Sequence, residues 1–220
     1  MHNIVNNLIL IENKLKKRLI NKDNPTIVAV SKTFSLDYIM PIINHGHKHF
    51  GENKVQEATE KWTSIKNDFT NIKLHMIGKL QTNKVKYVIP LFDYIHSLDS
   101  LKLANKISIE QKKLKKKLKI FIQINIGAED QKSGIKKKDL LDFYEICTKK
   151  LDLDIIGLMC LPPNNENSRK YFFEMKELAN KIAVKELSMG MSNDFLEASI
   201  QGATFVRIGS GIFGSRPKKL

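Results

Sequence analysis

The sequence predicts an α/β fold, a single (βα)8 barrel of the TIM type preceded by an additional N-terminal helix, with residues 1–220 forming one domain. Eight short apolar runs alternate with amphipathic segments of helical period, and no long linker interrupts them, which is the pattern of parallel strands joined by crossover helices. A length of 220 residues lies towards the lower end of the range for such barrels. A doubly wound open sheet is the alternative, and the number of strands favours the barrel.

Apolar spacing places the elements along the chain. An amphipathic helix is predicted over residues 3–20, where Ile4, Leu8, Ile11, Leu15 and Leu19 recur at three- or four-residue intervals. The strands are predicted at residues 26–31, 47–51, 73–78, 93–97, 119–125, 153–161, 185–189 and 204–209.

Helix boundary signals agree with this division. Glycine suits the position that follows a helix, and Gly46 and Gly202 each follow a helical pattern. Pro41 lies inside the second helical pattern, so this helix is predicted to kink or to begin late. Three serines are predicted as N-caps: Ser35, Ser100 and Ser168.

The net charge of +14 raises the question of nucleic-acid binding. Lysine is spread along the whole chain together with much asparagine and isoleucine, as codon drift in an AT-rich genome would produce. The densest basic run, residues 112–119, is interpreted as a solvated helix end, because Leu114 and Leu118 are spaced as on one helix face. No aromatic residues interleave with it for base stacking, so a nucleic-acid partner is disfavoured.

The two cysteines, Cys147 and Cys160, lie in apolar surroundings without CxxC spacing, which predicts reduced buried thiols and a cytoplasmic protein. No basic-then-apolar leader and no apolar run of about 18 residues occurs, so neither a signal peptide nor a membrane span is expected. His45, His47 and His49 alternate near the second strand without a neighbouring carboxylate or thiol, so no metal site is predicted.

Glycine and serine follow the last two predicted strands, in "LSMGMS" (187–192) and "VRIGSG" (206–211). Barrels of this type carry their active sites at the carboxyl ends of the strands and often hold a phosphate at this position. Glycine lets backbone N–H groups close around an anion. The two segments together predict a phosphate site.

Two basic residues in or at the end of apolar strands are further candidates for contact with a ligand. Arg207 needs a buried partner, which is either a core carboxylate such as Glu52 or an acceptor atom of a ligand. Lys32, at the end of the first strand, is either an ion-paired or snorkelling amine or an amine whose pKa is lowered so that it can condense with an aldehyde. Pyridoxal 5′-phosphate offers a phosphate, a ring nitrogen and an aldehyde, and could meet all three features.

The motifs in order closely resemble the pyridoxal phosphate homeostasis protein family, the YggS/PROSC-like proteins, over essentially the whole chain. These motifs are "VSKT" (30–33), "FGEN" (50–53), "VQE" (55–57), "HMIGKLQTNK" (75–84), "QKSGI" (131–135), "GLM" (157–159), "LSMGMS" (187–192) and "VRIGSGIFGSR" (206–216). Phe34, Ser35 and Lys54 depart from the family pattern, at positions that should form the rim of the site.

The resemblance implies a barrel similar to that of bacterial alanine racemase, with pyridoxal 5′-phosphate as its cofactor. Lys32 matches the lysine that forms the Schiff base, and Arg207 matches the arginine facing the pyridine nitrogen. Asn53 and His75 match positions that line the cofactor. The phosphate-holding loops match Ser188, Met189, Ser192, Gly209 and Ser210.

The resemblance further implies a protein that carries or buffers the cofactor as a reversible Schiff base, in vitamin B6 and amino-acid homeostasis, with apo enzymes as candidate recipients. We expect a monomer. We also expect little or no catalysis, because a charged arginine beside the ring nitrogen disfavours the protonated pyridinium that carbanion chemistry uses. A low-activity amino-acid racemase is the alternative. It needs a second base, which alanine racemases take from an additional β domain, and no such domain is expected before the chain ends at Leu220.

Overall fold

The computed structural model describes residues 3–20, 23–129, 131–163 and 167–215. Eight parallel strands pair in chain order, and the eighth pairs with the first to close the barrel. The strands are β1 (Thr26–Val30), β2 (His49–Glu52), β3 (Lys73–Met76), β4 (Tyr94–Leu98), β5 (Lys119–Ile124), β6 (Asp154–Cys160), β7 (Glu186–Ser188) and β8 (Phe205–Ile208). Each predicted strand is present within two residues of its predicted bounds, so the predicted fold class is confirmed.

The helices surround the barrel, and the N-terminal helix packs against the second, eighth and ninth helices. They are α1 (Asn3–Arg18), α2 (Leu36–Asn44), α3 (Val55–Asp68), α4 (Val85–Leu91), α5 (Leu101–Leu114), α6 (Leu140–Glu145), α7 (Ser168–Lys181), α8 (Phe195–Ile200) and α9 (Ser210–Phe213). Leu8 and Leu15 of α1 are almost completely buried in this contact, as the spacing of apolar residues predicts.

Side chains alternate between the two faces of each strand, so the barrel has two apolar regions. The larger one fills the space between strands and helices. A smaller cluster occupies the interior of the barrel and consists of Val28, Tyr94, Phe121, Met159 and Phe205. Buried histidines lie among these interior aromatic rings.

Most boundary predictions hold. Ser35 and Ser100 are N-caps, and the Ser100 side chain accepts a hydrogen bond from the backbone N–H of Leu103. Ser168 was wrongly predicted as a cap, because the Asn167 side chain accepts from the backbone N–H of Arg169 and Ser168 is the first helical residue. The helix α2 begins at Leu36 and runs through Pro41, so a late start is also wrong. Gly46 and Gly202 follow helices with positive φ, as predicted.

The basic run is divided by a helix end. Leu114 is the last residue of α5 and is exposed, and Lys115 takes a left-handed conformation that stops the helix. Leu118 is buried on the far side of this turn, where its backbone N–H donates to the side chain of Gln111. The two leucines therefore do not share a helix face, which corrects the prediction made from their spacing.

Both cysteines are free and buried, as predicted, and burial raises the pKa of Cys147 and of Cys160 to about 12. Among the described helices, none combines the length and the apolar character needed to cross a membrane.

Candidate functional site

A cavity of about 710 Å³ opens at the carboxyl ends of the strands. Its lining includes residues from the ends of most strands, so the loops predicted to converge do so. Among the predicted site residues, the cavity brings together Lys32, Asn53, Ser192, Arg207, Gly209 and Ser210.

A buried polar network of side chains from β2 and α3 holds the turn that carries Lys32. Oγ of Ser31 donates to Oε1 of Glu52 at 2.7 Å. Nζ of Lys61 donates to the same carboxylate oxygen and to the backbone oxygen of Ser31, both at 2.9 Å. Glu52 is fully buried and also accepts from the indole N–H of Trp62 at 3.0 Å. The backbone that precedes Lys32 is therefore fixed against β2 and α3.

The residue after Lys32 is fixed as well. Thr33 has a φ of +69°, a left-handed conformation that costs a non-glycine residue about 1 kcal/mol or more. Its backbone N–H donates to the carboxylate of Glu57, which lies 3.1 Å from Nζ of Lys61. The strained turn is thus retained by contacts on both sides, and it directs the half-buried Lys32 into the cavity.

Arg207 brings a buried positive charge to the same cavity. The residue is 4% exposed, and burial lowers its pKa. Nη1 donates to Oγ of Ser188 at 2.7 Å, and Nη2 donates to the backbone oxygen of Cys160 at 2.9 Å. Within the described ranges no carboxylate forms an ion pair with it, and Glu52 bonds to other groups. Glu52 is therefore not the partner of Arg207, and the guanidinium keeps donors available to a ligand.

The two predicted anion-holding loops meet. Oγ of Ser192 accepts hydrogen bonds from Oγ of Ser210 at 3.2 Å and from the backbone N–H of Gly211 at 3.1 Å. Gly190 has a φ of +89°, and a Cβ there would lie 2.5 Å from Cβ of Ala198, so only glycine fits this turn. The loops after β7 and β8 therefore form one continuous polar wall beside Gly209.

Three predicted site residues lie outside the cavity lining. Met189 is buried in the core between strands and helices. Ser188 is fully buried beneath Arg207 and bonds to it. His75 is fully buried in the barrel interior, between His49 and His96. A ligand in the cavity would reach Ser188 and His75 only through other side chains.

Asn53 has an unsatisfied acceptor. Its Oδ1 atom is buried without a hydrogen-bond partner among the described residues, although Asn53 lines the cavity. A buried acceptor without a donor is costly, so this atom suits a ligand that carries a donor.

Sequence reasoning missed several contributors to the site. Lys132 and Asp194 line the cavity. Lys132 stands in the motif "QKSGI" (131–135), which could have pointed to it, whereas the loop of Asp194 gave no periodic signal. Lys132 bonds to Glu129 at 2.6 Å, and Asp194 accepts from the backbone N–H of Met191. The supporting pair of α3, Glu57 and Lys61, has the i,i+4 spacing of helical ion pairs and could have been found from it. Arg216, which ends the last motif, lies outside the described residues.

The chain is similar to known proteins over nearly its whole length. Residues 6–217 match the family described as "Alanine racemase, N-terminal domain". A pyridoxal phosphate homeostasis protein from Aquifex aeolicus (strain VF5) is 38% identical over 199 residues, which cover 86% of each chain. A second one, from Escherichia coli (strain K12), is 33% identical over 98% of each chain.

Solved structures share the fold. PipY from Synechococcus elongatus PCC7942 is 30% identical, and the match covers 96% of this chain and 100% of PipY. The TM-score is 0.88 for PipY without PLP and 0.84 for PipY with PLP bound. An alanine racemase from Clostridium difficile 630 is 17% identical with a TM-score of 0.73, and 99% of this chain matches 58% of that one. This last likeness extends to the fold alone.

Proposed function

This chain belongs to the pyridoxal phosphate homeostasis protein family, and from that premise we propose that its cavity binds pyridoxal 5′-phosphate and that the protein carries or buffers this cofactor. The observation that carries the proposal is the convergence of an amine, a guanidinium and two joined serine–glycine loops on one cavity, at Lys32, Arg207, Ser192 and Gly209. These groups match the aldehyde, the ring nitrogen and the phosphate of the cofactor.

Each lining group has a chemical role in this proposal. The loops around Ser192, Gly209 and Ser210 would hold the phosphate, since they offer hydroxyl and backbone donors. Arg207 would donate to the ring nitrogen. The unsatisfied Oδ1 of Asn53 suits a hydroxyl of the ring as donor.

The amine of Lys32 would hold the cofactor covalently. When bound, the cofactor supplies an aldehyde, which condenses with a primary amine to a reversible Schiff base and releases one water molecule. Hydrolysis reverses the bond and returns both partners. The turn clamped by Glu52, Glu57 and Lys61 limits the positions that this amine can take.

We expect storage or delivery rather than turnover. The guanidinium of Arg207 stays charged and cannot accept a proton, so it keeps the ring nitrogen unprotonated and makes the ring a weak electron sink. In this proposal the protein acts as a monomer in vitamin B6 and amino-acid homeostasis, with apo enzymes as recipients. The free, buried thiols of Cys147 and Cys160 support a reducing compartment such as the cytoplasm.

Borohydride trapping tests the covalent bond. Purified protein incubated with pyridoxal 5′-phosphate should absorb visible light, and borohydride should fix one cofactor per chain, detected by intact mass and peptide mapping to Lys32. Lys32→Ala should abolish the fixed mass but keep weak phosphate-dependent binding. Lys132→Ala removes another amine of the same cavity and should retain the fixed mass. A wild-type protein that gains no mass would refute the proposal.

A racemase assay tests the absence of catalysis. Purified protein loaded with the cofactor should interconvert D- and L-alanine no faster than the free cofactor does. Turnover that disappears in Lys32→Ala would instead favour the racemase alternative.

A further inference from the structure

A hydrogen-bonded row of side chains crosses the barrel interior and ends at Arg207. Nδ1 of His49 lies 3.0 Å from Nε2 of His75, and Nδ1 of His75 lies 2.9 Å from Nε2 of His96. Nδ1 of His96 lies 2.8 Å from Oγ of Ser188, the atom that accepts from Nη1 of Arg207. We call His49, His75 and His96 the histidine chain. It runs from the partly exposed start of β2 to the cavity at the other end of the barrel.

The histidine chain is neutral at physiological pH. His75 and His96 are fully buried, and burial is the main cause that lowers the pKa of both well below 6.5. The positive charge of Arg207 lowers the pKa of His96 further. Burial, followed by the charge of Lys73, lowers the pKa of His49. A neutral imidazole has one donor nitrogen and one acceptor nitrogen, so each ring can pass on one hydrogen bond in one direction.

Aromatic neighbours hold the two buried rings in place. The ring of His75 stacks on Tyr94 with centroids 4.2 Å apart and an angle of 9°. The ring of His96 stacks on Phe121 at 4.3 Å and meets Phe205 edge-on at 6.0 Å. Stacking holds the planes of the two rings, and the contacts made by both nitrogens of each ring set its orientation within that plane, so only the placement of the protons remains open.

The direction of the hydrogen bonds follows from Arg207. A guanidinium only donates, so Oγ of Ser188 is an acceptor in that contact. The hydroxyl proton of Ser188 then needs an acceptor, and among the described groups Nδ1 of His96 is the one within reach. His96 must carry its proton on Nε2 and donate to Nδ1 of His75. By the same step His75 donates from Nε2 to Nδ1 of His49.

This direction suits a buried cation. In the Ser188 hydroxyl and the three imidazole rings, the accepting lone pair points towards Arg207 and the N–H or O–H bond points away from it. The dipoles of these four groups therefore align with the field of the guanidinium and polarise one another. The opposite direction would leave the hydroxyl proton of Ser188 unpaired and turn the N–H dipoles towards the charge. Within the described residues no carboxylate bonds to Arg207, and Asp194, which lines the same cavity, raises the pKa of Arg207 only through space.

We propose that the histidine chain, acting through Ser188, is a positioning device that stabilises the charge of Arg207 and fixes the guanidinium at the ring-binding side of the cavity. His96 and His75 are then positioning residues for ligand binding, without touching the ligand. The part that concerns the ligand rests on the proposed cofactor function. The direction of the hydrogen bonds is independent of that function.

Nitrogen spectroscopy tests the direction without any ligand. Two-bond ¹H–¹⁵N correlation spectra of the full chain at pH 7.5 distinguish the two neutral tautomers of each histidine. All three members of the histidine chain should show the Nε2–H tautomer. Ser188→Ala should convert His75 and His49, which lie two and three hydrogen bonds away, to tautomer mixtures. His45→Gln changes an exposed histidine that does not belong to the histidine chain, and it should leave the signals of His49, His75 and His96 unchanged.

An Nδ1–H tautomer or a mixture at His75 or His96 in the wild-type protein would overturn the proposal, even if Ser188→Ala does not fold. Unchanged signals in a folded Ser188→Ala would overturn it as well, since the direction would then not depend on the Arg207 end.

A conservative pair of variants tests the effect on the ligand. Asparagine at position 96 can place an acceptor where Nδ1 lies, whereas leucine cannot. His96→Leu should weaken pyridoxal 5′-phosphate binding at least about tenfold and shift the absorption maximum of the bound cofactor, and His96→Asn should restore both towards wild type. Equal binding by both variants would refute the positioning role. Absence of any adduct at Lys32 would refute the proposed function and leave the tautomer result standing.

Discussion

Acidification from pH 7.5 to pH 5 should lower the free energy of unfolding, because several histidines are buried in their neutral form. Burial lowers the pKa of His47 from 6.5 to about 4. Burial is also the main cause of the lowered pKa of His49, His75 and His96. In the window below 6.5 the unfolded chain binds more protons than the folded protein, so a fall in pH favours unfolding.

The size of the effect can be worked out for His47. The contribution of neutral His47 to the free energy of unfolding is fully present above about pH 7. It begins to be lost as the pH falls through 6.5 and is gone near pH 4. Between pH 7.5 and pH 5 the loss amounts to about 2 kcal/mol. The three members of the histidine chain act in the same direction, each by at most about 1.4 kcal/mol per pH unit. A domain has only about 5–15 kcal/mol of stability, so the change is large enough to measure.

Urea unfolding followed by fluorescence of the single, fully buried Trp62 provides the assay. His47→Gln should reduce the difference in unfolding free energy between the two pH values by about 2 kcal/mol. His45→Gln, at an exposed position two residues away, should change the difference far less, because His45 is the smallest of the causes that act on the pKa of His47. An unfolding free energy that stays constant down to pH 5, or a His47→Gln protein with the full wild-type dependence, would refute the reasoning.

Two further substitutions test the support of the site and the barrel wall. Glu52→Ala should lower the unfolding free energy by about 3 kcal/mol, because it removes a buried partner of the ammonium group of Lys61, and Glu52→Gln should cost less. Urea unfolding that ranks the two variants equally would contradict this. Gly157→Ala should destabilise the protein by about 1–3 kcal/mol in thermal and urea unfolding, since its Cβ would collide with the backbone oxygen of Glu186 on the neighbouring strand. Gly209→Ala, whose Cβ would meet only ordinary contacts, is the matched control, and equal stabilities would contradict the packing argument.

The architecture was predictable because its signals are local. Alternation of apolar runs with helical periods depends on neighbouring residues, and short crossover connections leave few topologies open. The one misplaced cap, Ser168, lies next to the true cap Asn167, and both residue types serve this role. The lysine run does contain an exposed helix end, as predicted. Leu114 and Leu118 do not share a helix face, because the left-handed Lys115 ends the helix, and lysine carries no sequence signal for that conformation.

The candidate site was predictable in part. Lys32, Asn53 and Gly209 could be assigned to the cavity because the carboxyl ends of the strands share one end of a parallel barrel. His75 and Ser188 stand at similar places in the sequence, yet they point into the interior below the cavity. Which side a residue near a strand end faces depends on the pleat, and a change of one residue reverses it.

The eight strands, the closed parallel barrel and the end of it where the candidate ligand-binding groups gather can all be read from the sequence alone, since periodicity and strand direction are properties of short segments. The partners across the barrel interior become visible only in the folded chain: Glu52 supports the turn of Lys32 rather than Arg207, and three histidines join in one row. These partners depend on the stagger of the strands. It sets which side chains from distant segments share a level of the interior, and no local pattern encodes it.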